Sequence, residues 1–588
     1  MNCRFLSLVS AVFIICSVAQ ARTVNLEDFG FSPNPKKNAS VTICTAINKA
    51  IATQAPGESL EIIIPKATYN FRPVDSNRRV LYISNHDQDN PKFVGLPLDY
   101  LKNVTLDFSG SNLLFHGRML PISMTGCENC SLKNFSIDFP NPQIAQVEIV
   151  ENDIINKTIT YRPAPWVKYD VTTSGDFVVK GEGWSHVPSA GIAFDGTTKH
   201  LVYRTSDINV GTHNVTRLDG NILRAPWDDA RLIPGTVLAM RDYGRPCPGI
   251  AIADCINTSI SNAKIHYAEG MGLIAQMSEN ITLENFSVCL RGESDPRYFT
   301  TNADATHFSG CRGKIISRGG LYEGMMDDAI NVHGTYLKVI QRLDSASVIA
   351  QYCHNQTYGF RWGEPGDTVQ WIKSQTMDVV GNPSIIKYIQ PWERKEIQGA
   401  KQFRIVFAER IPDVVNPESE TFGIENLTWS PEVEFSSNTI RNNRARGALF
   451  STPRRVVVEN NLFDHTSGCA ILLCGDCNGW FETGACHDVT VRNNRFVNAL
   501  TNMFQFTNAV ISIYPVIPQL SSQSGYFHSN IRIVDNFFET FDKPLLYAKS
   551  VDGLIFLNNK VITNSDYEPF HWNNFPILLE RVTDAKLQ

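Results

Sequence analysis

Outside its first residues the chain has no run of 18 consecutive apolar positions, so nothing there reads as a membrane-crossing helix. It also lacks any concentrated run of Lys and Arg. With 53 basic and 59 acidic residues the net charge is −6, which makes nucleic acid and anionic lipid surfaces poor partners. Glycine-rich phosphate loops, helix-borne His/Glu metal motifs and Ser or Cys nucleophile elbows are all missing. The common nucleotide-dependent, zinc-protease and acyl-transfer chemistries are thereby excluded, and the sequence calls for no cofactor and assigns no metal.

At 588 residues the chain exceeds a single ordinary core, so it is either multidomain or a repeat fold. Residues 1–21 carry Arg4, an apolar stretch from Phe5 to Val18 and a small-x-small site at Ala19-Gln20-Ala21, the pattern of a signal peptide and hence of export. Ile15 before Cys16 fits a lipoprotein cleavage box poorly. Twelve of the 14 cysteines lie beyond that leader. An even number permits disulfides without assigning them. Cys127/Cys130 and Cys474/Cys477, the latter near Cys469, Cys486 and His487, admit a zinc site, while thiols stacked inside a repeat are the plainer reading.

A motif of the form Asn-apolar-Thr-apolar recurs, as at Asn103-Val104-Thr105-Leu106, Asn257-Thr258-Ser259-Ile260, Asn280-Ile281-Thr282-Leu283, Asp488-Val489-Thr490-Val491 and Asn530-Ile531-Arg532-Ile533. Several intervals are 18 or 23 residues and two are longer, 33 and 42. Short strands at this period, with Asn at bends where it tolerates positive φ and can ladder with the Asn above, predict an all-β, right-handed parallel β-helix. Ser40 is the expected N-cap of a helix through Ile43, Ala46, Ile47 and Ala50 that covers its open end. Residues 140–250 and 336–430 interrupt the motif, and each contains a Pro-Gly-x-Thr/Asp-Val-like phrase, at Pro234 and Pro365. Structureless loops of that length are rare, so two small inserted β-barrels are expected. The organisation is then 22–139, cap and first coils; 140–250, a barrel; 251–335, coils with the site; 336–430, a second barrel; and 431–588, the last coils.

The chemistry centres on Asp304, Asp327 and Asp328, carboxylates set among apolar and small residues. Because 23 residues separate Asp304 from Asp327, the two segments read as successive coils. Strand spacing with lateral offset then puts the carboxylates about 5–10 Å apart, overlapping the roughly 6.5–9.5 Å of an inverting acid–base pair. Each aspartate alone reads as a bend residue; three on one face beside His307 and His333 read as a site. Asp304, among alanines, is the expected general acid, and Asp327 and Asp328 can share a water if a bend turns both to one cleft.

The runs Asn302-Ala303-Asp304-Ala305-Thr306-His307-Phe308, Asp327-Asp328-Ala329-Ile330-Asn331-Val332-His333-Gly334 and Thr452-Pro453-Arg454-Arg455, with Pro544-Leu545-Leu546-Tyr547, closely resemble glycoside hydrolase family 110. The resemblance spans nearly the whole chain beyond the leader. It implies a pectin-lyase-like β-helix with two barrel insertions, and an exo-acting, inverting, metal-independent α-1,3-galactosidase whose substrate is a glycan ending in α-galactose, as in blood-group B-type structures. It also implies Asp304 as acid and Asp327 with Asp328 as holders of the water. Glu269, Arg291, Glu293, Asn302, His307, Asn331 and His333 are the candidate sugar contacts. Polygalacturonases share the Asn-x-Asp, Asp-Asp, His-Gly pattern, but their Arg-x-Lys after His-Gly is replaced here by Thr335-Tyr336-Leu337-Lys338. A calcium-dependent lyase or a binding β-helix is the third alternative, and the lyase would require a tighter carboxylate cluster.

Overall fold

The computed structural model describes residues 21–34 and 36–588, so the leader expected over residues 1–21 lies, Ala21 apart, outside the described residues. One sheet of 32 strands winds through the chain as a right-handed parallel β-helix. Each coil gives three short strands. In the coil that follows Asp304 these are Thr306–Ser309, Arg312–Arg318 and Leu321–Glu323. Along the first face Leu273 pairs with Thr306, Thr306 with Ile330, Ile330 with Ala448 and Ala448 with Ile471, all in parallel.

Period-2 alternation sends Phe308, Val332 and Phe450 into a continuous core while His307, Asn331 and Leu449, also buried, turn to the opposite side, where a cleft lies. On another face Phe463, Phe496 and Phe538 stack at centroid distances of 5.1 and 4.8 Å. Each such ring removes apolar surface from water worth about 1.5–3 kcal/mol. At the bends Asn129, Asn257 and Asn280 take φ near +55°. Their side-chain amides donate to the Asn one coil back at 2.9, 2.8 and 2.9 Å. A second ladder runs inside the stack, where Asn461, Asn494 and Asn536 each donate to the next Asn at 2.9, 3.1 and 3.0 Å.

Helix Ala39–Ile51 covers the first coil with Ile43, Ala46, Ile47 and Ala50. Its N-cap is Asn38, which accepts the Ser40 amide at 3.0 Å, rather than Ser40 itself. Ser40 already lies within the helix and donates to the Arg72 carbonyl at 2.8 Å. Among the described residues no helix is long and apolar enough to cross a membrane.

Both interruptions of the motif hold antiparallel sheet. In the first, six strands order as Ala190–Phe194, Val237–Arg241, Ala145–Asp153, Thr158–Pro163, Ile222–Pro226 and Thr216–Leu218, and a three-stranded sheet shares their core of Val147, Ile159, Phe177 and Leu238. In the second, six strands from Leu337–Arg342 to Phe422–Asn426 close a barrel around Trp371. The β-helix resumes in register after each, with Ile122 paired to Ile250 and Lys314 to Glu432.

The twelve described cysteines are all free thiols, ten of them buried. They pack as small apolar groups. Among the described residues Cys474, Cys477, Cys486 and His487 form no cluster fit to hold a metal, so the zinc reading fails on geometry.

Candidate active site

Asp304 sits in the bend before strand Thr306–Ser309, and Asp327 and Asp328 in the bend before Ile330–Thr335. The bend gathers consecutive aspartates beside Asp304, with Asp327 lining the cleft and Asp328 fully buried behind it. Asp304 leans across to the next coil, where its Oδ1 accepts the Asp328 amide at 3.3 Å. One oxygen of each of the three carboxylates therefore lies within 4.8 Å of the others, tighter than the spacing expected from sequence. That expectation counted strand separation and offset but not this lean. The separation is shorter than that of an inverting pair, so it cannot by itself fix the stereochemistry.

Above Asp328, on the coil after the second insertion, stands Arg446. Its Nη2 and its backbone amide donate to the two Asp328 oxygens at 2.9 and 3.1 Å. Asp327 is held by Arg245 at 3.3 Å, Arg444 at 3.6 Å and Arg446 at 3.8 Å. Arg444 also grips Asp207 at 2.6 Å, and Arg241 donates to the Asn302 carbonyl at 2.8 Å.

Electrostatics separates the carboxyls. Burial, with the charge of Asp327 adding to it, pushes Asp304 up to about 7. Burial would raise Asp327 too, but Arg446, Arg444, Arg245 and Arg241 outweigh it and hold this carboxyl below its ordinary value. Asp328 is driven up by burial and by its acidic neighbours against the pull of Arg446. A protonated acid thus faces an ionised base across one cavity.

That cavity, about 300 Å³, is floored by Asp304, His307, Asp327 and Asn331 and walled by Tyr243, Trp480 and Phe504. Its size is at the low end of small-ligand sites. His307 Nδ1 lies 2.7 Å from Asp304 Oδ2. His333 is behind it, 2.8 Å from His307, and does not line the cavity.

The other candidate contacts lie elsewhere. Glu269 is buried one coil back, accepts Gln143 at 2.7 Å and is pushed up to about 8 by burial. Arg291 pairs with Asp295 at 3.0 Å and, with Glu293, lines a separate cavity of about 980 Å³. Asn302 donates to the Gly244 carbonyl at 2.7 Å and anchors the exit of the first insertion. Proximity in sequence misled here because bends send neighbouring side chains to different surfaces.

Sequence reasoning missed Arg241, Arg245, Arg444, Arg446, Trp480 and Glu482. The missing Arg-x-Lys had argued against bound acidic groups, yet four guanidiniums face this cleft. Each has a carboxylate within 4.0 Å, so none is free for a uronate. The cluster is also as tight as the calcium alternative demanded, but with Asp304 protonated the guanidiniums of Arg241, Arg245, Arg444 and Arg446 already outnumber the carboxylates of Asp207, Asp327 and Asp328. A dication would bring charge the site does not need.

A family model described as GLAA-B beta-barrel domain I matches residues 145–238, the first insertion. "Structure of Yersinia enterocolitica Family 28 Exopolygalacturonase" superposes with a TM-score of 0.40 at 11% identity, covering 97% of this chain and 78% of that one. "Alpha-1,3-galactosidase A" of Bacteroides fragilis (strain YCH46) is 31% identical over 100% of this chain and 95% of its own length. "Alpha-1,3-galactosidase B" of the same strain is 58% identical over 99% of this chain and 98% of its own length. Identity of that extent, over both insertions and every coil, makes this chain a glycoside hydrolase of the α-1,3-galactosidase family.

Proposed function

We propose that the protein removes terminal α-1,3-linked galactose from glycans, those of blood-group B type among them, as an exo-acting, inverting and metal-independent hydrolase. The observation that carries this reading is a small cavity lined by both Asp304, which no arginine among the described residues pairs with, and Asp327, which Arg245 and Arg444 hold at 3.3 and 3.6 Å. Asp304 donates its proton to the glycosidic oxygen as the bond to the anomeric carbon breaks. Asp327 takes a proton from the attacking water, and Asp328, fixed by Arg446, orients it. A water making two hydrogen bonds of about 2.7 Å spans up to about 5.4 Å, so oxygens within 4.8 Å suit one shared water. His307 and Asn331 line the floor where the galactose hydroxyls would bind. The leader pattern at residues 1–21 supports an exported location.

The test is initial-rate release of galactose from branched and linear α-1,3-galactosides beside α-1,4- and α-1,6-linked controls and a polygalacturonate. Proton NMR before mutarotation reads the anomer. β-Galactose as first product, from α-1,3 linkages only, is expected. α-Galactose would overturn inversion, and cleavage of the polyuronate would overturn the substrate class.

A further inference from the structure

Behind the acid lies a chain of short contacts that hydrolysis as described above leaves unused. Asp304 Oδ2 meets His307 Nδ1 at 2.7 Å, His307 Nε2 meets His333 Nε2 at 2.8 Å, and His333 Nδ1 meets the Gly334 carbonyl at 2.6 Å. Glu482 Oε1 lies 3.4 Å from His333 Nε2 and is held by the Asn85 amide at 3.0 Å. The two imidazoles are buried and stand edge to face at 85°.

Donor and acceptor rules leave these protons little freedom. A carbonyl only accepts, so His333 Nδ1 carries a hydrogen. If His333 is neutral its Nε2 is bare, His307 must donate from Nε2, and His307 Nδ1 must accept. Asp304 then carries its proton on Oδ2. If His333 is instead an imidazolium beside the Glu482 carboxylate, each step reverses. His333 donates to His307 Nε2, His307 donates from Nδ1 to Asp304 Oδ2, and the acid proton sits on Oδ1. The two arrangements differ by one proton.

We infer that Asp304, His307, His333 and Glu482 form a proton relay that recharges the general acid within the turnover. In the loaded state Asp304 gives the Oδ1 proton to the leaving oxygen and becomes a carboxylate. The His307 Nδ1 proton then moves to Asp304 Oδ2, and the His333 Nε2 proton moves to His307 Nε2. His307 stays neutral throughout, His333 passes from cation to neutral, and Asp304 ends as a neutral acid. The carboxylate of Glu482 remains, and the cycle closes as the proton that Asp327 took from the water reaches Asp304 Oδ1 through the cavity both line, while the Oδ2 proton returns to His307 Nδ1 and the His307 Nε2 proton to His333 Nε2. Burial holds His307 well below its ordinary value, consistent with a ring that only passes protons. Glu482 is held below its ordinary value by His333 against its burial. Other charges face the chain from every side: Asp327, Asp328 and Arg446 from the coils, His86 from the loop before strand Lys92–Asp99, Arg245 from the exit of the first insertion, and His354 from the second barrel. His307, His333 and Glu482 are in this account positioning and relay residues. The inference rests on the reading of Asp304 as the acid.

The test compares wild type, His333→Gln, Glu482→Gln and Asp304→Asn on a disaccharide with an alkyl leaving group and on an activated aryl galactoside. kcat is measured against pH and in H₂O/D₂O mixtures. Loss of the relay is expected to cut kcat on the disaccharide by about tenfold or more, less than the roughly 10²–10⁴-fold due to the acid itself, and to spare the aryl substrate. Dependence of kcat on deuterium fraction should be curved in wild type, where several protons move, and linear in the relay variants. Equal losses on both substrates, with unchanged pH profile and isotope curvature, would reduce His333 and Glu482 to structural supports and overturn the relay. If Asp304→Asn itself shows no leaving-group dependence, the acid assignment fails instead. Galactose affinity and melting temperature of each variant separate misfolding from either result.

Discussion

Replacing Asp304 by Asn is the sharpest test of the site because the structure fixes three separate outcomes. The amide is isosteric, its NH₂ can donate to His307 Nδ1 and its oxygen can accept the Asp328 amide, so the bend is preserved. On a glycan with an alkyl leaving group the loss of general acid should lower kcat by about 10²–10⁴-fold, and on an aryl galactoside by less than about tenfold. Wild-type activity requires the protonated acid, so its alkaline limb should lie near pH 7, where burial has moved this carboxyl, and that limb should vanish in the variant. The third outcome is stability. The native carboxyl keeps its proton up to about 7, whereas the unfolded one loses it near about 3.9. Between those values the native state binds more protons, so wild-type stability falls as pH rises through this window. At about 1.4 kcal/mol per pH unit, roughly three units bound the effect at about 4 kcal/mol. Asn does not titrate, so urea midpoints at pH 5 and pH 8 should show the variant gaining on wild type at the higher pH. Equal losses on both substrates, with an unmoved alkaline limb and no pH-dependent difference in stability, would refute the assignment.

Arg444→Met removes one of the cations holding Asp327 ionised, 3.6 Å away. The acid limb of kcat/KM should move to higher pH by about 1–3 units at most, and an unmoved limb would show that Asp327 is not the base. Asn494→Leu deletes a rung of the interior ladder and strands the Asn461 amide and the Val458 carbonyl. With each orphan costing about 1–3 kcal/mol, the variant should unfold at clearly lower urea than wild type. Exhaustive dialysis against chelator should leave kcat unchanged, because the arginines already neutralise the ionised carboxylates. A loss that calcium restores would contradict this.

The β-helix was legible because its physics is periodic: one inward apolar residue in two and one Asn per bend recur in the sequence as they recur in space. The insertions showed as interruptions of that period. The three aspartates could be singled out because they fall within one coil of each other. Arg446 could not, since it stands over Asp328 only because the chain leaves after Thr335, builds a barrel, rejoins the stack at Glu432 and sets Ala448 beside Ile330. Its contact with Asp328 spans 118 residues of sequence. Likewise, Arg245 reaches Asp327 across 82 residues from the exit of the first insertion.

One signal for the missing wall was present and went unused. The long intervals between motifs, seen in the structure as the 33 residues from Asn461 to Asn494 and the 42 from Asn494 to Asn536, mark coils with chain to spare. Excess chain in a stack whose core is already complete must leave the stack. In the first long coil it carries Cys474, Trp480 and Glu482 outward, and in the second Phe504, Gln505 and Phe506, all to the cavity. Asp304 and Asp327 are set one coil apart by the pairing of Thr306 with Ile330, and much of the wall comes from departures from the period. A parallel stack alone would present Asp304, Asp327 and Asp328 on an open face suited to long polymers. The overlong coils and the first insertion enclose that face, which is the physical basis for expecting attack on chain ends rather than on chain interiors.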